Sequence, residues 1–257
     1  MTTGIRKTND FCWINILTPQ PAESQGFFSQ VLGWTYADLG GMGSSIKVDG
    51  KEIGGMFDLA SPQTPPGTSP GIGIMVKSDD ADATVEKANA LGGSAKPAFD
   101  IMEEGRMAEL KDPNGAQIDI WQPKKSAAMT ADSSSHGAPS WYENYASDVD
   151  KAKAFYTNLF GWTTQDMPVP GMVYTVLKLD GEQIAGMMKI TPDFGPMPPT
   201  WATYFTIDDV DKRAAQATEL GGTVFTGPMD IPDVGRFAGV LSPQGVRFFI
   251  IKYLPRS

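Results

Sequence analysis

The sequence predicts an α+β chain: two copies of one domain in tandem, each copy made of two βαβββ modules. Three observations predict it. The first is an internal repeat. Residues 141 to 162, WYENYASDVDKAKAFYTNLFGW, echo residues 13 to 34, WINILTPQPAESQGFFSQVLGW, and Trp13, Phe27, Phe28, Gly33 and Trp34 are each matched at an offset of 128. Asp49-Gly50 and Gly55-Met56 recur at offset 131, Asp79-Asp80 and Gly92-Gly93 at 129, and Gly105-Arg106, Pro113 and Gly115 at 130. So small a drift places the insertions in loops, as duplication of one folded unit requires. The second observation is the order within a copy: a short apolar run, a helix stopped by Gly, three short extended runs, and then the same pattern again. The third is the segment Lys124 to Ser140, KKSAAMTADSSSHGAPS, where small polar residues dominate without apolar period. It reads as an exposed linker.

The elements of copy one follow in order. Cys12 to Leu17 reads as a strand and Pro21 to Leu32 as a helix stopped by Gly33. Ile46 to Phe57 holds alternating runs broken at the turn signal Asp49-Gly50. Ile72 to Val76 is a strand, and Asp79 to Leu91 a helix with acidic caps and Gly92-Gly93 after it. Met107 to Leu110 and Ala116 to Trp121 form a hairpin across Asp112-Pro113-Asn114-Gly115, with Pro at the second and Gly at the fourth position of a type I turn. The expected units are residues 1–125, a linker 126–138, and residues 139–257, each unit long enough to bury its own core.

Composition narrows the functions. Apolar residues make up 41% and charged residues 20%, the balance of an ordinary globular chain. Net charge is −9 and no block of Lys or Arg forms a phosphate-tracking stripe, which argues against a nucleic-acid partner. An acidic surface favours cationic ligands mildly and solubility generally. Cys12 is the single cysteine, so no intrachain disulfide forms, as a reducing compartment allows. The first residues, MTTGIRKTNDF, hold no apolar h-region and no stretch reaches a membrane span, so a cytoplasmic location without membrane contact is expected. Monomer and homodimer both remain open, because a tandem duplication supplies internally the pairing that single-domain chains obtain by dimerising.

The module order, carried by Phe155-Tyr156 followed by Leu159-Phe160-Gly161-Trp162, then Asp208-Asp209-Val210-Asp211 and Asp112-Pro113-Asn114-Gly115, resembles the vicinal oxygen chelate superfamily. That superfamily holds glyoxalase I, extradiol dioxygenases and the bleomycin- and fosfomycin-resistance proteins. The resemblance covers nearly the whole chain outside the linker and is nearest to tandem two-domain bacterial glyoxalase-like proteins. It implies that in each copy the two modules pair edge to edge and curl into a cup, with the helices outside. It does not imply one function, since the superfamily includes lyases, isomerases, dioxygenases, transferases and plain binders.

Strand alternation then assigns faces. Ile14, Ile16, Ile118 and Ile120 face the helices, whereas Trp13, Asn15, Leu17, Gln117, Asp119 and Trp121 face the cup of copy one. In copy two the cup receives Trp141, Glu143, Tyr145, Ala202, Tyr204, Thr206, Arg247, Phe249 and Ile251. Metal-using members of the superfamily place His, Gln or Glu on the first strand, on the first strand of the second module and on the last strand. By the resemblance these positions fall on Trp141, Ala202 and Phe249 in copy two, and on Trp13, Gly73 and Asp119 in copy one. Only Asp119 carries a donor, and His136, the single histidine, lies in the linker, where a solvated loop residue is expected. A divalent transition-metal site needs three or four convergent ligands, so no metal and no other cofactor is expected.

What the cups hold instead is aromatic and apolar surface with a few polar groups, the character of a small-molecule pocket. The expected ligand-binding residues are Trp141, Tyr145, Tyr204 and Phe249 in copy two, and Trp13, Asn15 and Trp121 in copy one. Trp13 and Trp141 are placed to stack on a planar ligand, or else to plug a vestigial cup. Glu143 and Asp119 are the candidate catalytic residues, because a carboxylate beside aromatic rings gains a raised pKa and can act as acid or base. The plain alternative for each is an exposed or salt-bridged strand carboxylate. Arg106 and Arg236, each after a Gly, fix a turn or clamp an anion. Cys12 alternates away from Trp13 and reads as a buried, inert thiol.

Three functions fit these residues: metal-independent binding of a small aromatic or cationic compound, as bleomycin-resistance members do; a metal-free lyase, isomerase or hydrolase using Glu143 or Asp119 with Tyr204; or an interaction protein with silent cups. The copies differ most at inward positions, where Asn15 opposes Glu143, Met75 opposes Tyr204 and Asp119 opposes Phe249. Such divergence marks the copy-two cup as the expected principal site.

Overall fold

The computed structural model describes residues 4–62, 64 and 67–255. Copy one contains β1 (Phe11–Thr18), α1 (Pro21–Leu32), β2 (Thr35–Asp38), β3 (Ser44–Val48), β4 (Lys51–Asp58), β5 (Gly71–Lys77), α2 (Ala81–Ala90), β6 (Ser94–Ala95), β7 (Phe99–Ile101), β8 (Gly105–Ala108), β9 (Leu110–Lys111) and β10 (Asp119–Pro123). Copy two contains β11 (Pro139–Ala146), α3 (Val149–Phe160), β12 (Thr163–Val169), β13 (Met172–Leu179), β14 (Glu182–Lys189), β15 (Thr200–Thr206), α4 (Val210–Glu219), β16 (Thr223–Ile231), β17 (Gly235–Leu241) and β18 (Arg247–Tyr253). Each copy forms one eight-stranded sheet, in the order β2-β3-β4-β1-β5-β10-β8-β7 and β12-β13-β14-β11-β15-β18-β17-β16. The two βαβββ modules of a copy join where β1 runs antiparallel to β5 and β11 antiparallel to β15.

Local chemistry sets the element ends. Gly33 and Gly161 adopt φ of 70° and 69°, the left-handed conformation that closes a helix, and donate to Ser29 O and Thr157 O. Asp80, Asp148 and Asp209 cap α2, α3 and α4 by accepting a backbone N–H three residues on. The Asp112 turn forms as expected: Gly115 N–H donates to Asp112 O, while Asp112 Oδ1 accepts from Asn114 and Ala116. The hairpin around it is narrower than its pattern suggests, because β9 pairs with the short β6 and the main sheet resumes only at Asp119.

The two copies do not keep separate cores. Ile14, Ile16, Phe28, Trp34 and Ile120 of copy one and Phe155, Tyr156, Trp162, Phe205 and Phe248 of copy two belong to one continuous buried cluster. The helices lie on the sheet faces away from the cups, and these faces meet each other. Phe11 stacks on Tyr142 at 3.9 Å between ring centroids. A Cβ at Gly222 would touch Phe27, and one at Gly93 would touch Phe155. A reciprocal clasp holds the pair: the Trp34 indole donates to Gly137 O at 2.8 Å, and the Trp162 indole donates to Asn9 O at 2.7 Å. Each clasp joins a helix exit of one copy to the entry of the other copy's first strand.

Two expectations are corrected here. The segment 126–138 is not an exposed linker, for Ala128, Met129, Ala131, Ser133 and Ala138 are buried. The Arg6 guanidinium holds it by donating to Ala131 O and Met129 Sδ, and Met129 N–H donates to Cys12 O. His136 is not a solvated loop side chain: it is half-buried, its Nδ1 accepts from Asp208 N–H at 3.1 Å, and burial holds its pKa below the ordinary value. Arg106 and Arg236 prove to be ties. Each is bidentate to a helix-start Asp (Asp82, Asp211) and reaches a strand Asp (Asp100, Asp230).

One buried network is specific to a single copy. Tyr156 OH donates to Asp112 Oδ2 at 2.9 Å and accepts from the Trp201 indole at 2.9 Å. Its repeat partner is Phe28, so a phenylalanine fits the same helix position. Tyr156→Phe therefore removes the hydroxyl without removing volume and leaves two buried polar groups unmet, at about 2 kcal/mol. Urea unfolding should show that loss, and an unchanged midpoint would contradict it.

Candidate functional site

In copy two the register places Trp141 beside Tyr204 and Tyr204 beside Phe249, one row across β11, β15 and β18. Tyr204 and Phe249 stack at 4.5 Å. One step along β11, Glu143 lies between Ala202 and Gly186. It is 2% exposed. Its Oε2 accepts from Tyr174 OH at 2.7 Å and from the Trp141 indole at 3.3 Å, and that indole also reaches Tyr174 OH at 3.1 Å. Its Oε1 is buried with no partner among the described residues. Burial pushes the carboxyl up to about 8, against the opposing pull of the Tyr174 and Trp141 hydrogen bonds. Glu143 is thus not an exposed strand carboxylate, and the groups that act on it are Tyr174 and Trp141, not a cation. The Tyr145 and Tyr204 hydroxyls are hydrogen-bonded to each other, and burial raises both phenols.

Tyr174 joins this candidate site, and the sequence pattern did not reveal it. It enters from β13, over a spot where the sheet has no side chain: a Cβ at Gly186 would come within 1.8 Å of its hydroxyl and 2.7 Å of Glu143 Oε1. The repeat hid it. By strand register Thr175 matches Ser44, so Tyr174 matches Gly43, a residue with no ring. In copy one the ring over the corresponding Gly55 comes instead from Phe57. The usable signal was Gly55 and Gly186 themselves, each a glycine in mid-strand.

In copy one the matching row is Trp13, Met75 and Asp119. The Trp13 indole donates to Asn15 Oδ1 at 3.1 Å. Asp119 is 5% exposed, its Oδ1 accepts from Gln117 Nε2 at 3.1 Å, and burial pushes its carboxyl up to about 7. Trp121 packs with Cys12, Met75 and Ala128, and its indole N–H is buried without a partner among the described residues. Cys12 is buried and burial raises its thiol pKa, but it does not alternate cleanly away from Trp13. A bulge between Phe11 and Trp13 shifts the register, and Cys12 joins the cup-side cluster.

The structure thus brings Trp141, Glu143, Tyr145, Tyr204 and Phe249 together, and separately Trp13, Asn15, Asp119 and Trp121. Glu143 and Asp119 sit in different sheets, one in each copy. The positions that the resemblance assigns to metal ligands carry Trp141, Ala202 and Phe249 in copy two and Trp13, Gly73 and Asp119 in copy one, and among the described residues no three His, Cys, Asp or Glu converge. No described helix is long and apolar enough to cross a membrane.

Comparison with known proteins agrees with the duplication. Residues 139–250 match the model of the Glyoxalase/Bleomycin resistance protein/Dioxygenase superfamily, and residues 13–121 match that of a Glyoxalase-like domain. CFP32 of Mycobacterium bovis, whose name assigns it provisionally to the glyoxylases, is 34% identical over 252 residues, 95% of each chain. The anthracycline biosynthesis protein DauV of Streptomyces sp. (strain C5) is 28% identical over 257 residues, covering 93% of this chain and 92% of its own. The Mn(II)-bound glyoxalase of Novosphingobium aromaticivorans superposes with a TM-score of 0.67 at 14% identity, covering 97% of this chain and 83% of that one. A trihydroxybiphenyl dioxygenase of Sphingomonas wittichii strain RW1 gives 0.68 at 12% identity, covering 96% and 91%. These two show shared fold alone. With its sheet order, its duplicated modules and a full-length relative at this identity, the chain belongs to the glyoxalase/bleomycin resistance/dioxygenase superfamily, also called the vicinal oxygen chelate superfamily.

Proposed function

We propose that this protein is a metal-independent binder of a small planar aromatic compound, held in the copy-two cup. One observation carries the reading. Glu143 is buried among Trp141, Tyr145, Tyr174 and Tyr204, with one oxygen held and the other unmet. A buried polar group without a partner costs stability, and a cup that keeps one amid aromatic surface has the makeup of a ligand site. The protonated state that burial favours supplies no counter-charge at neutral pH, which supports an aromatic ligand over a cationic one. The names of the Streptomyces relatives place them in the biosynthesis of anthracyclines, which are polycyclic aromatic compounds.

Isothermal titration with aromatic compounds found by fluorescence screening tests the reading. We expect about one site per chain. Trp141→Ala should weaken binding at least about 30-fold, the effect of losing roughly 2 kcal/mol of aromatic contact. Trp13→Ala should leave binding unchanged, since copy one presents Asn15 and Asp119 where copy two presents Glu143 and Phe249. Two equivalent sites, or loss with Trp13→Ala alone, would overturn it. The buried acid also favours a second reading, a metal-free lyase or isomerase in which Glu143 moves a proton. In that case Glu143→Gln keeps binding and ends turnover.

A further inference from the structure

The hydrogen-bond pattern at Glu143 fixes more than its location. Oε2 accepts from both Tyr174 OH and the Trp141 indole. In the neutral acid that burial favours, the oxygen already accepting two donors is the carbonyl-like one, so the acid proton belongs on Oε1. That oxygen has no acceptor among the described residues. Among the described residues the groups around it supply none and bring no cation close. Tyr145 shares β11, Tyr174 comes from β13, Tyr204 from β15, and Gly186 of β14 presents no side chain. Arg247 of β18, two strands away, is engaged over the Phe225 ring at 4.6 Å.

We infer that Glu143 is a hydrogen-bond donor through Oε1, and that the copy-two cup selects planar aromatic compounds bearing a ring carbonyl. The inference rests on the binding reading above and names what that site recognises. A carbonyl oxygen accepts the one proton the cup leaves unused, and needs no cation to neutralise it. Tyr174 covers the approach, since its hydroxyl occupies the space above Gly186 beside Oε1. It is half-buried, and entry of the ligand swings it aside while Trp141 keeps Oε2. A carboxylate would repel the same carbonyl, so recognition is strongest while the acid is protonated. Burial that raises its pKa to about 8 keeps it so at neutral pH.

The test compares 9-fluorenone with fluorene, which differ in a carbonyl against a methylene, by titration at about pH 6.5 and about pH 9.5, either side of the Glu143 transition. We expect the ketone to bind at least about tenfold tighter at the lower pH, the discrimination one unsatisfied buried donor supplies. At the higher pH that preference should fall to under about threefold. Glu143→Gln should keep the preference at both pH values, because its amide donates and does not titrate. Glu143→Leu should lose it at both; if that variant does not fold, the Gln variant and the pH series still decide. Equal binding of both compounds at low pH, with one site lost in Trp141→Ala, overturns the donor assignment and leaves the binding reading standing. A pH-dependent preference surviving in Glu143→Gln also overturns it. Binding of neither compound to the native protein overturns both.

Discussion

Residues 4–124 expressed alone should fail to give a folded monomer. The face that carries α1 and α2 is covered in the intact chain by copy two, not by solvent. Phe11 would lose its stack on Tyr142, Trp34 its acceptor at Gly137 and its edge contact with Phe205, and Phe28 its contact with Phe248. Each large aromatic returned to water costs on the order of 2 kcal/mol, so a handful exceeds the stability of a domain this size. The half-chain should show no cooperative melt, or should pair with itself through the same face. Mixing it with residues 125–257 should restore one transition. A monomeric half with a sharp melt near that of the full chain would show that the shared core is dispensable.

That shared core marks where the sequence stops being informative about the fold. Alternation in Cys12–Leu17 tells correctly that Ile14 and Ile16 lie beneath a helix, since period and face follow from strand geometry alone. What covers a helix's far side is not encoded locally. Phe27, Phe28, Trp34 and their repeat partners are all buried in one cluster, but no local pattern says that the core belongs jointly to both copies. The segment 126–138 shows the same limit. Its small polar composition resembles a linker, yet Arg6, 125 residues away from Ala131, pins it to the interior.

The site was legible in the same partial way. The cup-facing residues of β11, β15 and β18 follow from alternation, and they assemble as a row. The repeat comparison found where the linings differ, but only at positions both copies fill with side chains. Tyr174 matches a glycine, and its role emerges from the void above Gly186, a property of space and not of residue type. Cys12 was misassigned for a related reason: a bulge at the start of β1 breaks the period on which the assignment rested.

Stability should fall as pH rises from about 5 to about 8.5, with Glu143 the largest contributor. The sign follows from the direction of the shift. In the unfolded chain the carboxyl ionises near its ordinary value of 4.5, and in the folded cup only at about 8. Below the lower value both states carry the proton and the group imposes no penalty. Between the two values the unfolded chain releases a proton that the folded protein must hold, so folding loses about 1.4 kcal/mol per pH unit. Above the upper value the loss is complete. Asp119, raised to about 7, acts in the same direction from the other cup. Water entering an opened cup relieves part of the penalty, leaving about 3 kcal/mol attributable to Glu143. Glu143→Gln keeps the acceptor for Tyr174 and Trp141 and removes the titration. It should be close to neutral at about pH 5 and stabilising by about 3 kcal/mol at about pH 8.5. Urea unfolding at a series of pH values, with the slope m unchanged, measures this directly. If the variant declines with pH as steeply as the native protein, Glu143 is ionised in the folded cup and the acid donor does not exist.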